Sequence, residues 1–413
     1  VLESITWLPL VLYLLRRGIR PEPNGLPVER SPVPALLAAG AFLGISALAG
    51  HPQTFMHIAY LSAAYFFFLT WQARWRWPWI VGLGLMTGAV ALGIAAAAFI
   101  PALRFVPLTV REGVSYEFVS KGFPLLDTVQ VLLPGYHTLW LPLYSGLVTV
   151  ALACVAWFGR RHWPQKGPRL ETIFWLLIIG LAAWLALGDK GVLYELAYHV
   201  APGLALFRQQ ERWLGLAALG MALLAAQGFV LWMGSRPEQR RRWLRRSWAL
   251  LAVLLLVVGL VEFMSRSAVG QNDWFLIWLR QWLILGLVIV LLWPFGAGEK
   301  PRRDQWRSAA LLLLLGLDLF FPVRRAMDLA PESPSAFWPE PDWLDQLRGP
   351  ELARIDGQNL FPANLGELHG LEDVKGISPL KPQLTADLEQ LPRPLRWQLL
   401  NVQYVLADRQ LEE

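Results

Sequence analysis

Residues 79–100 read WIVGLGLMTGAVALGIAAAAFI, an unbroken run of 22 residues without a charged side chain. The hydrocarbon core of a bilayer is about 30 Å thick and is crossed by about 20 apolar helical residues, so this run predicts a membrane-spanning helix. Of the 413 residues, 55% are hydrophobic and only 16% are charged, and the mean hydropathy is +0.39. A soluble protein of this composition would expose large apolar areas to water. We therefore expect an all-α polytopic membrane protein.

Eight other apolar runs predict further spans, which gives about nine transmembrane helices in all. The nine predicted spans are 33–49, 55–71, 79–100, 139–157, 173–187, 213–233, 248–264, 274–293 and 309–321. The run 5–15 is shorter, and the chain opens with Val1 inside an apolar region. We interpret 5–15 as the stub of a helix and the sequence as a fragment. Residues 1–322 are thus predicted to form a multi-span domain, and 323–413, rich in Pro, Asp and Glu, an incomplete α+β extracytoplasmic segment with a strand near 399–406.

Basic residues predict which loops face the cytoplasm, because Lys and Arg are enriched in cytoplasmic loops. The loops 16–32, 72–78, 159–170, 234–247 and 296–307 hold 20 Lys and Arg, whereas the alternate loops 50–52, 101–138, 188–210 and 265–273 hold 6. The second set and residues 323–413 are therefore predicted to be extracytoplasmic. The bilayer is the first expected partner, and the 22 Trp residues fit the two membrane interfaces.

Several classes of function are excluded by composition. Cys154 is the only cysteine, which rules out an intrachain disulfide and Cys-based zinc or iron–sulfur sites. The net charge of +6 comes from short loops between apolar runs, with no nucleic-acid motif among them. We therefore expect no nucleic acid as a partner.

The turn Gly50-His51-Pro52-Gln53 joins two predicted spans and leaves two polar side chains at the outer boundary. His57 lies one helical turn further into the second span, where a histidine is tolerated if it faces the bundle interior or a wet cavity. A structural interpretation stays open, in which His51 caps the previous helix and His57 bonds a neighbouring helix. We expect no metal, because no carboxylate lies at ligand spacing.

Arg208 and Arg212 are four residues apart, so a helix starting near Phe207 would project both guanidinium groups from one face. With the N–H groups of a helix N-terminus, two planar donors predict a phosphate clamp. The alternative is ordinary snorkelling of arginine at a membrane edge, with Glu211 as a partner. Asp189 lies in the same outer loop.

The loop 101–138 carries several acids and ends in Tyr136 and His137. Any of its carboxylates could be a general base, but no spacing singles one out. The charged residues inside spans lie nearer the outer helix ends, where snorkelling accounts for them. They are Glu262, Arg280 and Asp318.

Read in chain order, several stretches resemble the YfhO-like family of bacterial membrane proteins, within the GT-C class of polytopic glycosyltransferases that use lipid-linked sugars. The stretches are Ala49-Gly50-His51-Pro52-Gln53, Leu132-Leu133-Pro134-Gly135-Tyr136, Tyr144-Ser145-Gly146, Pro202-Gly203, Phe207-Arg208, Arg212, Asn364-Leu365-Gly366, Asp373-Val374-Lys375-Gly376, Pro379-Leu380 and Leu400-Asn401-Val402-Gln403-Tyr404-Val405-Leu406. The chain departs from the family pattern at Gln403, where Lys is expected, and at 209–211, where a small residue or Pro is expected.

The resemblance implies transfer of a sugar from a polyprenyl-phosphate carrier to a glycan, lipid or polymer acceptor outside the bacterial plasma membrane. The lipid-phosphate sugar would be the substrate, with no cofactor, and the catalytic carboxylate of this class usually lies in the first outer loop, which we expect to precede Val1. The expected substrate-binding residues are Arg208, Arg212, His51, Gln53, His57, Tyr136, His137 and Asp189. Two alternatives are a lipid-linked glycan transporter or flippase, and a non-catalytic envelope assembly protein. A transporter would place ionisable residues near the membrane midplane, so charges at the outer helix ends favour the enzyme.

Overall fold

A computed structural model describes residues 2–19, 31–134, 143–163, 165–264, 273–294, 301–326, 354–358, 364–378 and 380–406. The chain divides into two compact units. The first, called the helical unit, comprises Val1–Ala96 and Ser115–Asp328, and the second, called the sheet unit, comprises Ala97–Val114 and Leu329–Glu413.

Helices, most of them long and apolar, make up most of the helical unit. They are α1 (Leu2–Ile5), α2 (Leu8–Ile19), α3 (Val33–Leu48), α4 (Pro52–Gln72), α5 (Trp77–Phe105), α6 (Tyr116–Val119), α7 (Leu147–Gly159), α8 (Lys166–Ala186), α9 (Val192–Val200), α10 (Leu214–Met233), α11 (Pro237–Met264), α12 (Asp273–Leu292) and α13 (Pro301–Ala326). The last residues of α5 belong to the sheet unit. Short 3₁₀ turns cover Leu125–Val131, Arg160–His162, Leu204–Leu206 and Gln210–Trp213.

Six stretches of the described chain are long and apolar enough to cross a membrane. They are Pro52–Gln72, Trp77–Leu108, Lys166–Ala186, Gln210–Met233, Pro237–Val261 and Phe275–Leu292, and Val33–Leu48 is a shorter apolar helix. The chain is therefore a multi-pass helical membrane protein, whereas the predicted total of nine spans stays a prediction. Large apolar side chains such as Leu92, Leu177 and Leu276 are exposed on these helices, as expected where lipid rather than water surrounds them.

Four sequence predictions about element bounds are wrong. The span predicted at 173–187 starts at Lys166, because Pro168 and the polar residues after it continue the helix. The span predicted from 139 has no helix over 143–146, and α7 starts at Leu147 because Gly146 adopts a left-handed φ of +89°. The predicted loop 188–210 contains the helix α9, and α5 continues four residues past Pro101 into the predicted loop 101–138.

Two apolar clusters form the core of the helical unit, and α10 contributes to both. Leu216 and Leu224 belong to the cluster that includes α2, α4 and α8, whereas Leu231 and Trp232 belong to the cluster that includes α7, α11 and α12. The α7 and α10 backbones approach closely at Gly228, where a Cβ would lie 1.9 Å from the Leu152 carbonyl oxygen. Small residues allow this contact between helices without a hydrophobic driving force in lipid.

The sheet unit contains a three-stranded parallel sheet in the order β2-β1-β3. The strands are β1 (Arg354–Asp356), β2 (Glu372–Asp373) and β3 (Val402–Val405), and the helices are α14 (Leu365–Leu368), α15 (Gln383–Glu389) and α16 (Arg393–Leu399). The predicted strand at 399–406 is confirmed for 402–405, but Leu399 ends α16 and Asn401 adopts a φ of +52° between them. Buried Asp356 accepts a hydrogen bond from Trp397 Nε1 at 2.7 Å and lies 3.4 Å from the Arg396 guanidinium.

Residues from the predicted loop 101–138 divide between the two units. Thr109 forms an antiparallel bridge with Pro382, and the Val110 N–H donates to the Lys381 carbonyl at 3.0 Å, all within the sheet unit. The remainder of that loop, from Ser115 onward, belongs to the helical unit.

Candidate functional site

Three stretches that are distant in sequence meet at one end of the helical unit, beside the start of α4. The Gln210 N–H donates to the Lys121 carbonyl at 3.2 Å, and the Asp189 N–H donates to the Ser120 carbonyl at 2.7 Å. The buried Gln210 side chain, 1% exposed, donates to the Val119 carbonyl at 2.9 Å. Residues 119–123, 186–190 and 207–213 are thereby fixed to one another, and we call this region the His51 end.

Gly188 makes this junction possible. It has a φ of +60° in the left-handed region and forms an antiparallel bridge with Lys121. A Cβ at Gly188 would lie 2.0 Å from the Ser120 carbonyl oxygen, which is far closer than any van der Waals contact. Only glycine satisfies both the backbone angle and the close approach.

His51 lies at the N-terminus of α4 and joins it to the segment 207–213. Its Nδ1 lies 2.8 Å from Thr54 Oγ1 and its Nε2 lies 2.7 Å from Arg212 Nη1. The Thr54 N–H donates to Nδ1 at 3.1 Å, so His51 caps the start of α4. A guanidinium N–H can only donate, so Nε2 accepts from Arg212. Burial, followed by the nearby charge of Arg212, lowers the pKa of His51 from 6.5 to about 4, which keeps the ring neutral near pH 7.

Gln53 completes the contact with the two arginine positions. Its Oε1 accepts from Arg212 Nη1 at 2.9 Å, and its Nε2 donates to the Arg208 carbonyl at 2.8 Å and towards the Gln209 carbonyl at 3.3 Å. These contacts fix the orientation of the amide, because exchange of its N and O atoms would lose all three. The proximity predicted between the His51 turn and the arginines is confirmed.

Arg212 is held by neutral groups. Within the described part of the chain, no carboxylate lies within ion-pair distance of its guanidinium, and Glu211 acts on it only at longer range. The hydrogen bonds that Arg212 donates to His51 and Gln53 orient the guanidinium without neutralising it. The positive charge therefore remains available to an anion that reaches this end of the helices.

The prediction that Arg208 and Arg212 share one face of a helix is wrong. Gln209 adopts a left-handed φ of +66°, and the first helical turn starts only at Gln210. Arg208 is exposed in front of that turn, with its guanidinium carbon 5.5 Å from the centre of the Phe118 ring. The two guanidinium groups nonetheless lie close enough for their charges to interact.

His57 lies six residues after His51, on α4, and is only 3% exposed. Its ring stacks against Trp213 with a centroid distance of 4.0 Å, and its Nε2 has no hydrogen-bond partner among the described residues. The prediction that His57 faces the bundle interior is confirmed.

Two lysines and an aspartate lie on the surface of this junction. Lys121 Nζ donates to Asp189 at 2.8 Å, and this contact raises the pKa of Lys121. Lys190 donates to the carbonyls of Gly122 and Phe123 at 3.1 Å each. The predicted site residue Asp189 is therefore paired with a lysine and supports the loop contact.

Asp127 and Gln130 were not singled out by their spacing, yet both are buried on one face of the 3₁₀ turn Leu125–Val131. Neither Asp127 Oδ2 nor the Gln130 amide has a partner within the described chain, and Glu211 Oε1 is in the same situation. Lys190 acts electrostatically on both Asp127 and Glu211, and burial raises the pKa of Asp127.

Two predicted site residues, and the expected absence of a metal, concern other parts of the chain. Tyr136 and His137 lie outside the described residues. Within those residues, no group of three or more His, Cys, Asp or Glu side chains could hold a metal ion.

Asp318 does not snorkel, contrary to the sequence interpretation, because it is only 1% exposed. It accepts hydrogen bonds from the Tyr144 hydroxyl at 2.5 Å and from the Leu147 N–H at 2.7 Å, and Arg280 lies 3.6 Å away. A carboxylate on α13 thus caps the N-terminus of α7, which carries a partial positive charge. The side chain of Glu262 lies outside the described residues.

Comparisons with protein-family models, with curated proteins and with solved structures find no match for this chain. The resemblance to the YfhO-like family therefore stays a prediction.

Proposed function

We propose that the chain acts as a membrane glycosyltransferase, which moves a sugar from a polyprenyl-phosphate carrier to a glycan, lipid or polymer acceptor outside the bacterial plasma membrane. One observation carries the proposal most directly. Arg212 is oriented by the neutral acceptors His51 and Gln53 at the end of two candidate spans, so its charge is not cancelled by an ion pair. A carrier lipid presents its phosphate at that depth while its prenyl chain stays in the bilayer.

In this proposal Arg212 binds the carrier phosphate and the exposed Arg208 adds a second planar donor. Guanidinium groups suit phosphate because their N–H groups match its oxygens in pairs. The proposal requires a neutral His51, because a protonated ring would repel Arg212 and its Nε2 could no longer accept a hydrogen bond.

A general base would have to remove a proton from the acceptor hydroxyl as the sugar is transferred. Asp127 and Glu211 are the candidates among the described residues, because each is near Lys190 and has a buried oxygen without a partner. The raised pKa of Asp127 suits this role, since a base works best when its pKa approaches the working pH.

The test of the phosphate site is binding of a polyprenyl-phosphate analogue to the purified protein. Loss of a charge-assisted hydrogen bond costs about 1.5 to 3 kcal/mol, so Arg208→Ala and Arg212→Ala should each weaken binding roughly tenfold to over a hundredfold. Lys should restore only part of the affinity, because it lacks the planar fork. If these arginines only snorkel, the Lys variants should be silent.

Arg160 provides a matched control for Arg208. Its guanidinium also lies over an aromatic ring, 3.3 Å from the centre of Trp157, but donates to the Trp157 carbonyl of the preceding helix. Arg160→Ala should leave the affinity unchanged, with the melting temperature of every variant measured alongside. Wild-type affinity in both Arg208→Ala and Arg212→Ala would refute the proposed site.

The orientation belongs to the same proposal, since it requires the His51 end to face outward. The excess of 20 over 6 basic residues supports it. In a Cys154→Ala background, Cys at the exposed position Val192 should react with an impermeant reagent in intact cells, and Cys at Arg241 should not. The reverse pattern would invert the topology and remove the acceptor assignment.

A transporter or flippase of lipid-linked glycans is the alternative. The ion pair of Asp318 with Arg280 is buried within the helical unit, and intramembrane charges often mark transport pathways. However, Asp318 is already bonded to Tyr144 and Leu147, which is typical of a structural role. Sugar transfer by the protein in detergent, where no compartments exist, distinguishes the enzyme from the transporter.

A further inference from the structure

An open cleft of about 1570 Å³ lies at the opposite end of α4 from His51, within the helical unit. It is formed by the C-terminal ends of α2 and α4 and the N-terminal ends of α5 and α8. Since α4 has 21 residues, the two ends are separated by about 30 Å along its axis. This cleft is thus distinct from the proposed sugar-carrier site.

The cleft is strongly cationic. Four of its described lining residues carry positive charge, and none of those lining residues is acidic: the cations are Arg16, Arg17, Arg74 and Lys166. Arg16 is paired at 2.5 Å with Glu171, which is only 4% exposed and also accepts from Tyr65 at 2.9 Å. For the other three, no carboxylate of the described chain lies within ion-pair distance.

Aromatic side chains place the cleft at the level where lipid headgroups begin. Trp71 and Trp77 line it and are 63% and 72% exposed, and indole rings collect at the interface between membrane and water. Phe67 lies one helical turn before Trp71 on α4 and is also exposed, so an apolar strip leads from the cleft along the helix. Acyl chains can lie along this strip while a headgroup occupies the cleft.

We propose that this cleft binds the headgroup of an anionic phospholipid through Arg17, Arg74 and Lys166. Basic pockets between transmembrane helices suit anionic headgroups, because the phosphate is attracted both by the charges and by the N–H groups at helix N-termini. The pair between Arg16 and Glu171 fixes the wall of the cleft formed by α2 and α8. The inference is independent of the proposed glycosyltransferase activity.

The experiment measures binding of phosphatidylglycerol to the purified full chain in neutral detergent, by native mass spectrometry and by thermal shift. Phosphatidylcholine with the same acyl chains and soluble glycerol phosphate are the two reference ligands. Phosphatidylglycerol should bind and raise the melting temperature, whereas neither reference should do so at the same concentration. Equal binding of phosphatidylcholine, or binding of glycerol phosphate at the same concentration, would overturn the assignment to an anionic lipid.

The variant Arg17→Gln, Arg74→Gln, Lys166→Gln removes the three cations together. Each contributes about fivefold to binding an anionic surface, so the triple variant should lose about a hundredfold in affinity. The matched control removes three cations that do not line the cleft and lie in the predicted cytoplasmic loops 72–78 and 159–170, Arg76→Gln, Arg160→Gln, Arg161→Gln. It should bind as wild type.

Equal losses in the two triple variants would show that only surface charge matters, and would overturn the proposal. Melting temperatures in phosphatidylcholine report folding. If the cleft variant is poorly folded, Arg17→Gln and Lys166→Gln, both on exposed side chains, are measured singly. No loss in either would count equally against the site.

Discussion

Arg280 in α12 and Arg212 in the 3₁₀ turn before α10 both belong to the helical unit, but their surroundings differ in charge. Arg280 lies 3.6 Å from the buried carboxylate of Asp318, so its charge is compensated. Arg212 is bonded to the neutral His51 and Gln53, so its charge is not compensated by an ion pair. The compensated charge of Arg280 stabilises the fold. The oriented but uncompensated charge of Arg212 is suited to binding an anion.

The largest expected effect is on stability and concerns Asp318. Asp318→Ala removes the carboxylate that pairs with Arg280 and accepts from the Tyr144 hydroxyl and the Leu147 N–H, and breaking such a pair typically costs about 3 to 5 kcal/mol. Asp318→Asn keeps an acceptor and should cost less. The measurement is the free energy of unfolding in mixed micelles.

Leu317→Ala is the control for that measurement. Leu317 is the residue before Asp318 on α13, and its side chain is exposed. A loss for Asp318→Ala no greater than that for Leu317→Ala would show that the buried pair does not stabilise the fold.

The second prediction separates the two arginines by function. Arg212→Ala should weaken binding of a polyprenyl-phosphate analogue roughly tenfold to over a hundredfold, because a charge-assisted hydrogen bond is lost. Arg280→Ala should leave that affinity unchanged and lower the melting temperature, since its partner is Asp318. Calorimetric titration and thermal unfolding of both variants measure the difference, and an equal effect on affinity would abolish the distinction.

The third prediction concerns the junction that carries Arg212. In Gly188→Ala the new Cβ would meet the Ser120 carbonyl oxygen at 2.0 Å, so residues 119–123 must move away. We expect a severalfold loss of lipid-phosphate affinity and a lower melting temperature. The Asp318 contacts should be unaffected.

Gly113→Ala is its matched control, because Gly113 also has a left-handed φ, +76°, but nothing lies within 4 Å of its Cβ position. It therefore reports backbone strain alone, about 1 to 2 kcal/mol. Equal loss of affinity in the two variants would show that the close contact is unimportant.

The smallest expected effect is a pH dependence due to His51. Its pKa is about 4 in the folded protein and 6.5 when unperturbed, so between these values the unfolded chain binds more protons. The stability contributed by neutral His51 is therefore complete above pH 6.5 and decreases as the pH falls towards 4. Melting temperatures from pH 7 to 5 should fall more steeply in wild type than in His51→Gln, which cannot be protonated, and parallel curves would contradict the assignment.

Six of the nine predicted spans coincide with helices long and apolar enough to cross a bilayer, because length and apolarity can be read from the sequence. Helix α4 follows its predicted run closely, from Pro52 to Gln72. The start of α7 was not predictable from hydropathy, since it depends on the backbone of Gly146 and on a cap supplied by Asp318, 171 residues from Leu147 in the sequence.

The candidate site was predictable only in part. Pro and Gly around His51 marked a turn, and the polar residues there pointed to Arg208 and Arg212. The left-handed Gln209 changed the relation between the arginines, and no periodicity reports such an angle. Gln210, which breaks the family pattern, is the buried residue that joins three stretches of chain.

The cap on α7 also has a consequence for how the protein is made. Helix α7 leaves the ribosome well before α13, so during synthesis the start of α7 forms before the carboxylate that caps it is present. A capped helix start is more stable than an uncapped one, so α7 should reach its full stability only after Asp318 has been synthesised. A nascent chain arrested before residue 318 would lack this cap.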